Sequence, residues 1–306
     1  MARHLLQRFL FTLPALWLVL TLVFLLIHIV PGDPVEQMLG EGAAPGQITQ
    51  LRHGLGLDQP LYVQYGSYLE RLAHGDLGQS LKFQAPVGRI IFERYPATLA
   101  LAFVALLVCV AIAIPAGILA AHRRGRPADR AIGLFTLLGL AVPNFALGPV
   151  LILLFSIELG WLPVSGRGGP SYYVLPAVTL GAALAAILTR MVRGSMLEEL
   201  SSDYVRTARA KGLSTGAVLF RHAFRNALIP IITILGLQFG TLLAGTIVTE
   251  TIFSWPGIGR LTVQAISSRD YPLLQGCILV IAVSYVLVNL LTDFLYAVID
   301  PRVRLS

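Results

Sequence analysis

Gln238, Glu250, Asn289 and Asp293 are polar or ionisable side chains set within or beside stretches that are otherwise aliphatic. Asn289 and Asp293 stand at i and i+4, on one face of a helix. Such groups are costly against lipid, so they must face protein or a water-filled path, where they could line a route for a polar solute or relay protons. His28 and Asn144 belong to the same set. Bonding between neighbouring helices is the simpler use of each, and the four residues named first are the candidate translocation path. Catalysis would ask for a nucleophile beside a base. The six histidines (His4, His28, His53, His74, His122 and His222) show neither catalytic nor metal-ligand spacing, and Cys109 and Cys277 each lie alone in an apolar run.

A second kind of chemistry is written between residues 203 and 227. Asp203, Tyr204, Val205, Arg206, Thr207, Ala208, Arg209, Ala210, Lys211, Gly212 and Leu213 form a polar, cationic insert, followed by His222-Ala-Phe-Arg-Asn-Ala227. Ser202 is a suitable N-cap, Asp203 places a carboxylate at the positive helix end, Lys211 a cation at the negative end, and Gly212 can take the left-handed stop. A helix of roughly nine residues with Val205 and Ala208 as its apolar stripe is expected. A second helix should put Phe220, Ala223, Phe224 and Ala227 on one face. Basic residues beside spans also set orientation and touch anionic membrane lipid, but this alone does not account for the capped helix-turn-helix order.

The elements that position these residues are membrane spans. The chain of 306 residues is 56% hydrophobic and 13% charged, with a mean hydropathy of +0.74, too apolar for a water-soluble globule. A bilayer core needs about 20 apolar residues as a helix. Six segments qualify, near Phe9 to Val30, Thr98 to Ala121, Ile132 to Leu154, Tyr173 to Val192, Leu228 to Thr249 and Leu273 to Val298. None alternates as a barrel strand would, so the fold class is an all-α integral membrane protein. Fifteen of the 23 Lys and Arg fall at the two termini, between spans two and three, and around the basic insert. Six spans put those places on one side, which the positive-inside rule makes cytoplasmic. The net charge of +7 thereby has a topological cause, and no nucleic-acid partner is implied.

The expected organisation is residues 1–31 as tail and first span, 32–96 as an outer segment, and 97–306 as a core with the basic loop at 194–227. In the outer segment, Asp58 as N-cap, Pro60 in the first turn and Gly75 as the stop bracket a short amphipathic helix. The first span outlasts a signal h-region and ends in Pro31-Gly-Asp-Pro34 without a cleavage site, so it is read as a retained anchor.

The basic insert resembles the "EAA" loop of binding-protein-dependent ABC importer permeases, in the form of the dipeptide and oligopeptide branch. Arg206, Thr207 and Ala208 stand where the wider family has Glu-Ala-Ala, six to four residues before Gly212, and this departure is shared by the peptide branch. Pro31-Gly-Asp-Pro34, Leu55-Gly-Leu-Asp-Gln-Pro-Leu61, Gly75-Asp-Leu-Gly78, Leu175-Pro-Ala-Val-Thr-Leu-Gly181, Trp255-Pro-Gly-Ile-Gly-Arg-Leu261, Asp270-Tyr-Pro272 and Asp300-Pro-Arg302 look like that branch's first permease subunit. Glutathione-transporting members look close around Glu158-Leu-Gly-Trp-Leu-Pro163. The resemblance implies a type I importer permease of the bacterial inner membrane with both termini cytoplasmic. It also implies a second homologous permease subunit, two cytoplasmic ATPases that bind ATP and magnesium, and a periplasmic solute-binding protein. The cargo would be di- or oligopeptides, glutathione among them, with nickel or another small solute as the alternative within the branch and a proton-driven carrier as the alternative outside it. No cofactor or metal is expected on this chain: Lys82 and Lys211 are followed by Phe83 and Gly212, which excludes a Walker A motif. Under this resemblance Tyr204, Val205, Ala208 and Leu213 would pack in the ATPase groove, with Asp203, Arg206, Arg209 and Lys211 at its rim.

Overall fold

In a computed structural model, residues 2–29, 35, 44–54 and 56–299 are described, and among them there is no strand, only an isolated bridge between Gln79 and Pro86. The helices are α1 (Ala2–Ile29), α2 (Pro45–Gly54), α3 (Leu61–Ala73), α4 (Val87–His122), α5 (Pro127–Ala141), α6 (Asn144–Leu151), α7 (Ser171–Leu200), α8 (Asp203–Ala210), α9 (Arg225–Gly245), α10 (Ile247–Ile252), α11 (Ile258–Ser267) and α12 (Tyr271–Ile299). Segments of wider π-type winding, Ile152–Glu158 and Ala217–Phe224, extend α6 and lead into α9. Among the described residues, four stretches are long and apolar enough to cross a bilayer: Val87–His122, Ser171–Leu200, Ala217–Leu243 and Tyr271–Thr292. The motifs at residues 31–34 and 300–302, together with Leu55, lie outside the described residues, as do the side chains of His28 and Asp293.

The third expected span is not one rod. Pro127–Ala141 and Asn144–Glu158 meet at an angle of 101°. Pro143 supplies no N–H and disfavours helical geometry in the residue before it, and Val142 is extended at φ −86°, ψ 115°. Two other boundaries move. Residues 87–96, expected in the outer segment, already belong to α4, and the expected fifth span breaks after Gly245, with Thr249 on the separate helix α10.

The bundle is centred on α4 against α7, where small residues let the backbones approach. A Cβ on Gly117 would stand 2.6 Å from Val192, and one on Gly181 would stand 2.8 Å from the Ala105 carbonyl. In lipid, close van der Waals packing of this kind supplies association that hydrophobic burial cannot. Cys109, Ala113, Ala185, Leu188, Val192 and Met196 fill this seam, and Leu219, Ala223, Ala227 and Ile231 close it from the α9 side. Phe220, expected beside Ala223, points outward instead at 61% exposed, because the i→i+5 winding there brings Leu219, not Phe220, over Ala223.

Candidate functional site: a stapled surface helix and a buried carboxylate cradle

The insert folds as eight residues of helix, α8, ending at Ala210 with Lys211 as its C-cap. Gly212 takes φ +76°. Its N–H donates to the Arg209 carbonyl at 2.9 Å, and the Leu213 N–H reaches the Ala208 carbonyl at 3.3 Å, the paired bonds of a Schellman stop. Ser202 stands at the N-cap with extended backbone, but its hydroxyl donates backward to the Glu199 carbonyl at 2.6 Å instead of accepting from α8. The helix therefore begins where the sequence indicates without the side-chain cap that was expected. In the outer segment Asp58 likewise does not cap α3. Its carboxylate meets His53 Nδ1 at 2.6 Å, and Pro60 precedes the first turn.

Val205 and Ala208, 0% and 5% exposed, pack on Val218 and Leu200 of the same chain. This corrects the expectation that they fill a partner's groove: α8 spends Val205 and Ala208 on holding itself to the bundle, and Ala210 alone of its aliphatic side chains faces outward. Tyr204 adds a polar staple, its hydroxyl donating to the Glu199 carboxylate and accepting from Asn226 Nδ2 at 2.9 Å. The two halves of the motif thus meet through Tyr204 and Asn226. What remains outward is Asp203, Arg206, Thr207, Arg209, Ala210, Lys211, Gly212 and Leu213, with part of the Tyr204 ring. Arg206 and Asp203 approach at 3.4 Å with both side chains largely in solvent, a pair of little energetic weight.

Along α4 from the His122 end, where a cavity of about 210 Å³ is shared with Arg209 and Leu213, Thr98 lies 24 residues away, roughly 36 Å of helix. There Glu250 is completely buried. Its carboxylate accepts from Thr98 Oγ1 at 2.6 Å and from the Arg260 N–H at 2.9 Å, while Thr98 Oγ1 itself accepts from the Ile258 N–H at 2.8 Å. Two otherwise unpaired donors in the first turn of α11 are satisfied this way, and the carboxylate sits at the positive end of that helix. A Cβ on Gly257 would stand 2.3 Å from the carboxylate, and one on Gly259 would stand 2.7 Å from the Ile247 Cα. The Trp255-Pro-Gly-Ile-Gly-Arg run is therefore the mould around Glu250. Trp255, fully buried, donates Nε1–H to the Ala97 carbonyl at 2.9 Å and meets Tyr173 edge-on at 4.6 Å.

Asp270 makes a companion bond set, accepting from Ser80 Oγ at 2.5 Å, the Lys82 N–H at 3.1 Å and the Leu273 N–H at 3.2 Å. It caps α12 and ties it to the turn that follows Gly75-Asp-Leu-Gly78. Thr98, Ser80 and the roles of the two acids were not legible as contacts. The Trp-Pro-Gly-Ile-Gly and Asp-Tyr-Pro runs were the signal, since such Gly and Pro density asks for a fixed turn.

The candidate path residues are not brought together. Glu250 belongs to its cradle. Gln238 is buried between α9, α4 and α7, accepting from Cys109 Sγ at 3.7 Å and donating to the Leu184 carbonyl at 3.4 Å. Asn289 faces Gly240 across α9 and α12, its Oδ1 buried without a hydrogen bond. Gln238 and Glu250 are thus turned into the chain's own interior. Among the described residues, no three His, Cys, Asp or Glu side chains gather as a metal site.

Several spans, a bend at Pro143 and a short helix stapled outside the bundle define the chain as a polytopic all-α membrane protein, and solved structures share its fold. It aligns with a chain of the inward-facing MetNI methionine ABC transporter at TM-score 0.58 and 16% identity, over 69% of this chain and 96% of that one. A chain of an amino acid ABC transporter aligns at TM-score 0.52 and 16% identity, over 70% and 94%. Residues 113–305 match the family described as binding-protein-dependent transport system inner membrane component, and residues 1–102 match its N-terminal companion. The chain belongs to this family. It is 45% identical over 304 residues, 99% of both chains, to the glutathione transport system permease protein GsiC of Escherichia coli strain K12 and of Shigella flexneri serotype 5b strain 8401. It is therefore a multi-pass inner-membrane permease subunit of a binding-protein-dependent ABC importer.

Proposed function

We propose that this permease moves di- and oligopeptides, glutathione among them, into the cytoplasm, and that the outward face of α8 is where a separate ATPase drives it. The observation that carries the coupling role is the division of α8: an inward face locked by Val205, Ala208 and Tyr204, and an outward face of Arg206, Arg209, Lys211 and Leu213. A helix so anchored transmits displacement to α7 and α9 instead of fraying. Coupling further requires that the ATPase bind this face with different strength in its two nucleotide states.

The remaining parts of the assembly follow the family: a second permease subunit, two ATPases carrying ATP and magnesium, and a solute-binding protein on the face opposite α8. The two termini and α8 are cytoplasmic in this reading, residues 32–96 form the outer segment, and 97–306 form the core with the coupling loop at 194–227. The glutathione assignment is supported by the name of the 45%-identical relatives; nickel is the competing cargo within the branch.

The test is ATP-driven uptake by the complex reconstituted with its ATPases and binding protein. Replacing Arg209 and Lys211 together by Glu, on the solvent side of α8, should abolish uptake while membrane insertion and melting temperature stay within a few degrees. Undiminished uptake would overturn the docking face. Binding of glutathione, a dipeptide and nickel to the partner binding protein decides the cargo, and nickel binding alone would overturn the peptide assignment.

A further inference from the structure

On the side of the bundle that carries α8, a cavity of about 380 Å³ lies between α5 and α7, lined by Asp129, Arg130, Ile132, Gly133, Thr136, Leu137, Thr189, Arg190 and Arg193. Its charges are arranged unequally. Arg193 is committed to Asp129, through Nε at 2.7 Å and Nη2 at 2.9 Å, and Asp129 also caps the turn by accepting from the Gly125 N–H at 2.9 Å. That pair is neutral and fixed. Among the described residues, neither the Arg130 nor the Arg190 guanidinium makes a hydrogen bond or ion pair, and both are exposed. The cavity therefore keeps two uncompensated positive charges, one from each helix.

The floor beneath them is apolar and continues away from the charged rim. Arg130, Gly133 and Leu137 follow one another on one face of α5, at i, i+3 and i+7, descending about 10 Å along the helix. Leu134, Leu137 and Leu138 on α5 and Ile187 on α7, one turn below Arg190, are exposed. Gly133 has nothing within 4 Å of its Cβ position, so this furrow has room. Paired guanidinium groups above an aliphatic trough match one ligand shape: a phosphate ester on a hydrocarbon chain. Guanidinium is the donor suited to phosphate oxygens, and basic pockets between spans on the side facing the cytoplasm are where anionic headgroups are held.

We propose that this cavity is a binding site for an anionic phospholipid, its phosphate held between Arg130 and Arg190 and one acyl chain laid along Gly133, Leu137 and Ile187. The leaflet is the inner one under the orientation proposed above; the binding itself does not depend on that orientation. The Arg193–Asp129 pair fixes the spacing of α5 and α7, so the lipid would brace the first half of the bent span against the helix that leads into α8.

The test is native mass spectrometry of the full-length chain, with the subunits that accompany it, released from nanodiscs of phosphatidylglycerol or phosphatidylcholine. Wild type should retain phosphatidylglycerol at least tenfold more than phosphatidylcholine, and R130Q/R190Q should reduce retention to the phosphatidylcholine level. R190Q alone, on an exposed side chain, should give a several-fold loss, while R130K/R190K should keep most of the preference. Equal retention of the two lipids, or undiminished retention by R130Q/R190Q, would overturn the site. Displacement of the lipid by millimolar glycerol phosphate would overturn the lipid in favour of a free phosphate ester, and an oxidant-induced disulfide between Arg130→Cys and a cysteine introduced in a neighbouring subunit would show that protein fills the cavity instead. Labelling of Lys211→Cys from each side of the membrane tests the orientation separately.

Discussion

At the residue scale, the clearest lesson is Glu250. An acid beside a greasy run invites a role in transport, and sequence offered no way to see that Thr98, 152 positions earlier, would supply its hydroxyl. Spacing reports which side chains share a helix face, whereas a carboxylate between three elements is defined by tertiary packing. The cradle makes a coupled prediction. Glu250→Ala leaves the Arg260 N–H, which donated to the carboxylate, without its acceptor and removes a partner from Thr98, costing about 1–3 kcal/mol. Gly257→Ala drives a methyl into the carboxylate and should also lower the melting temperature. Because the methyl collides with the group that Glu250→Ala deletes, the double variant should melt well above the sum of the two losses, with a coupling of about 1 kcal/mol or more. Simple additivity in detergent melts followed by tryptophan fluorescence would refute the contact. A second residue-scale case lies in the outer segment, where the hydrogen bond to Asp58 raises the His53 pKa above its ordinary value while lowering that of Asp58. The sign follows: the His53 contribution is fully present below its unfolded pKa and fades as pH rises through the raised folded value, while that of Asp58 is present above its own unfolded pKa and fades as pH falls through the lowered folded value. Imidazole NMR should therefore show His53 titrating above 6.5 and returning toward it in Asp58→Asn.

At the scale of the element, α8 was legible in its ends and its stripe but not in the use of that stripe. Gly212 and Asp203 marked the boundaries, and Val205 and Ala208 were identified as the apolar positions; which surface they would meet depended on Val218, in a π-wound segment no periodicity announces. The bend at Pro143 was available in the sequence, yet hydropathy alone joined its two halves into one span. The Gly212 stop can be tested against a matched control. Both Gly212 and Gly216 have open space where a Cβ would go, but Gly212 sits at φ +76° and Gly216 at φ −62°. Gly212→Ala should therefore cost about 1 kcal/mol from backbone strain alone, loosening α8 and lowering ATP-driven uptake. Gly216→Ala should leave uptake unchanged. Equal effects from the two substitutions would show that left-handed geometry is not what the loop requires.

At the scale of the molecule, α4 connects the two ends that matter: His122 near α8, and Ala97 and Thr98 in the cradle of Trp255 and Glu250. Its seam with α7 admits only glycine at positions 117 and 181, so the two helices are packed backbone to backbone between those ends. Composition was enough to derive a helical membrane protein, because lipid leaves so few backbone solutions. The contacts between ends were hidden, since each joins residues far apart in sequence. The orientation itself yields the last prediction. Cys109 and Cys277 are buried, so an impermeant maleimide should find little background on the wild-type chain. Lys211→Cys, on the outward face of α8, should react in inside-out vesicles and stay protected in intact spheroplasts. Arg167→Cys, in the exposed loop before α7, should show the opposite pattern. Reaction of both from the same side would mean that α7, the span between them, does not cross the bilayer, and the positive-inside assignment would have to be rebuilt.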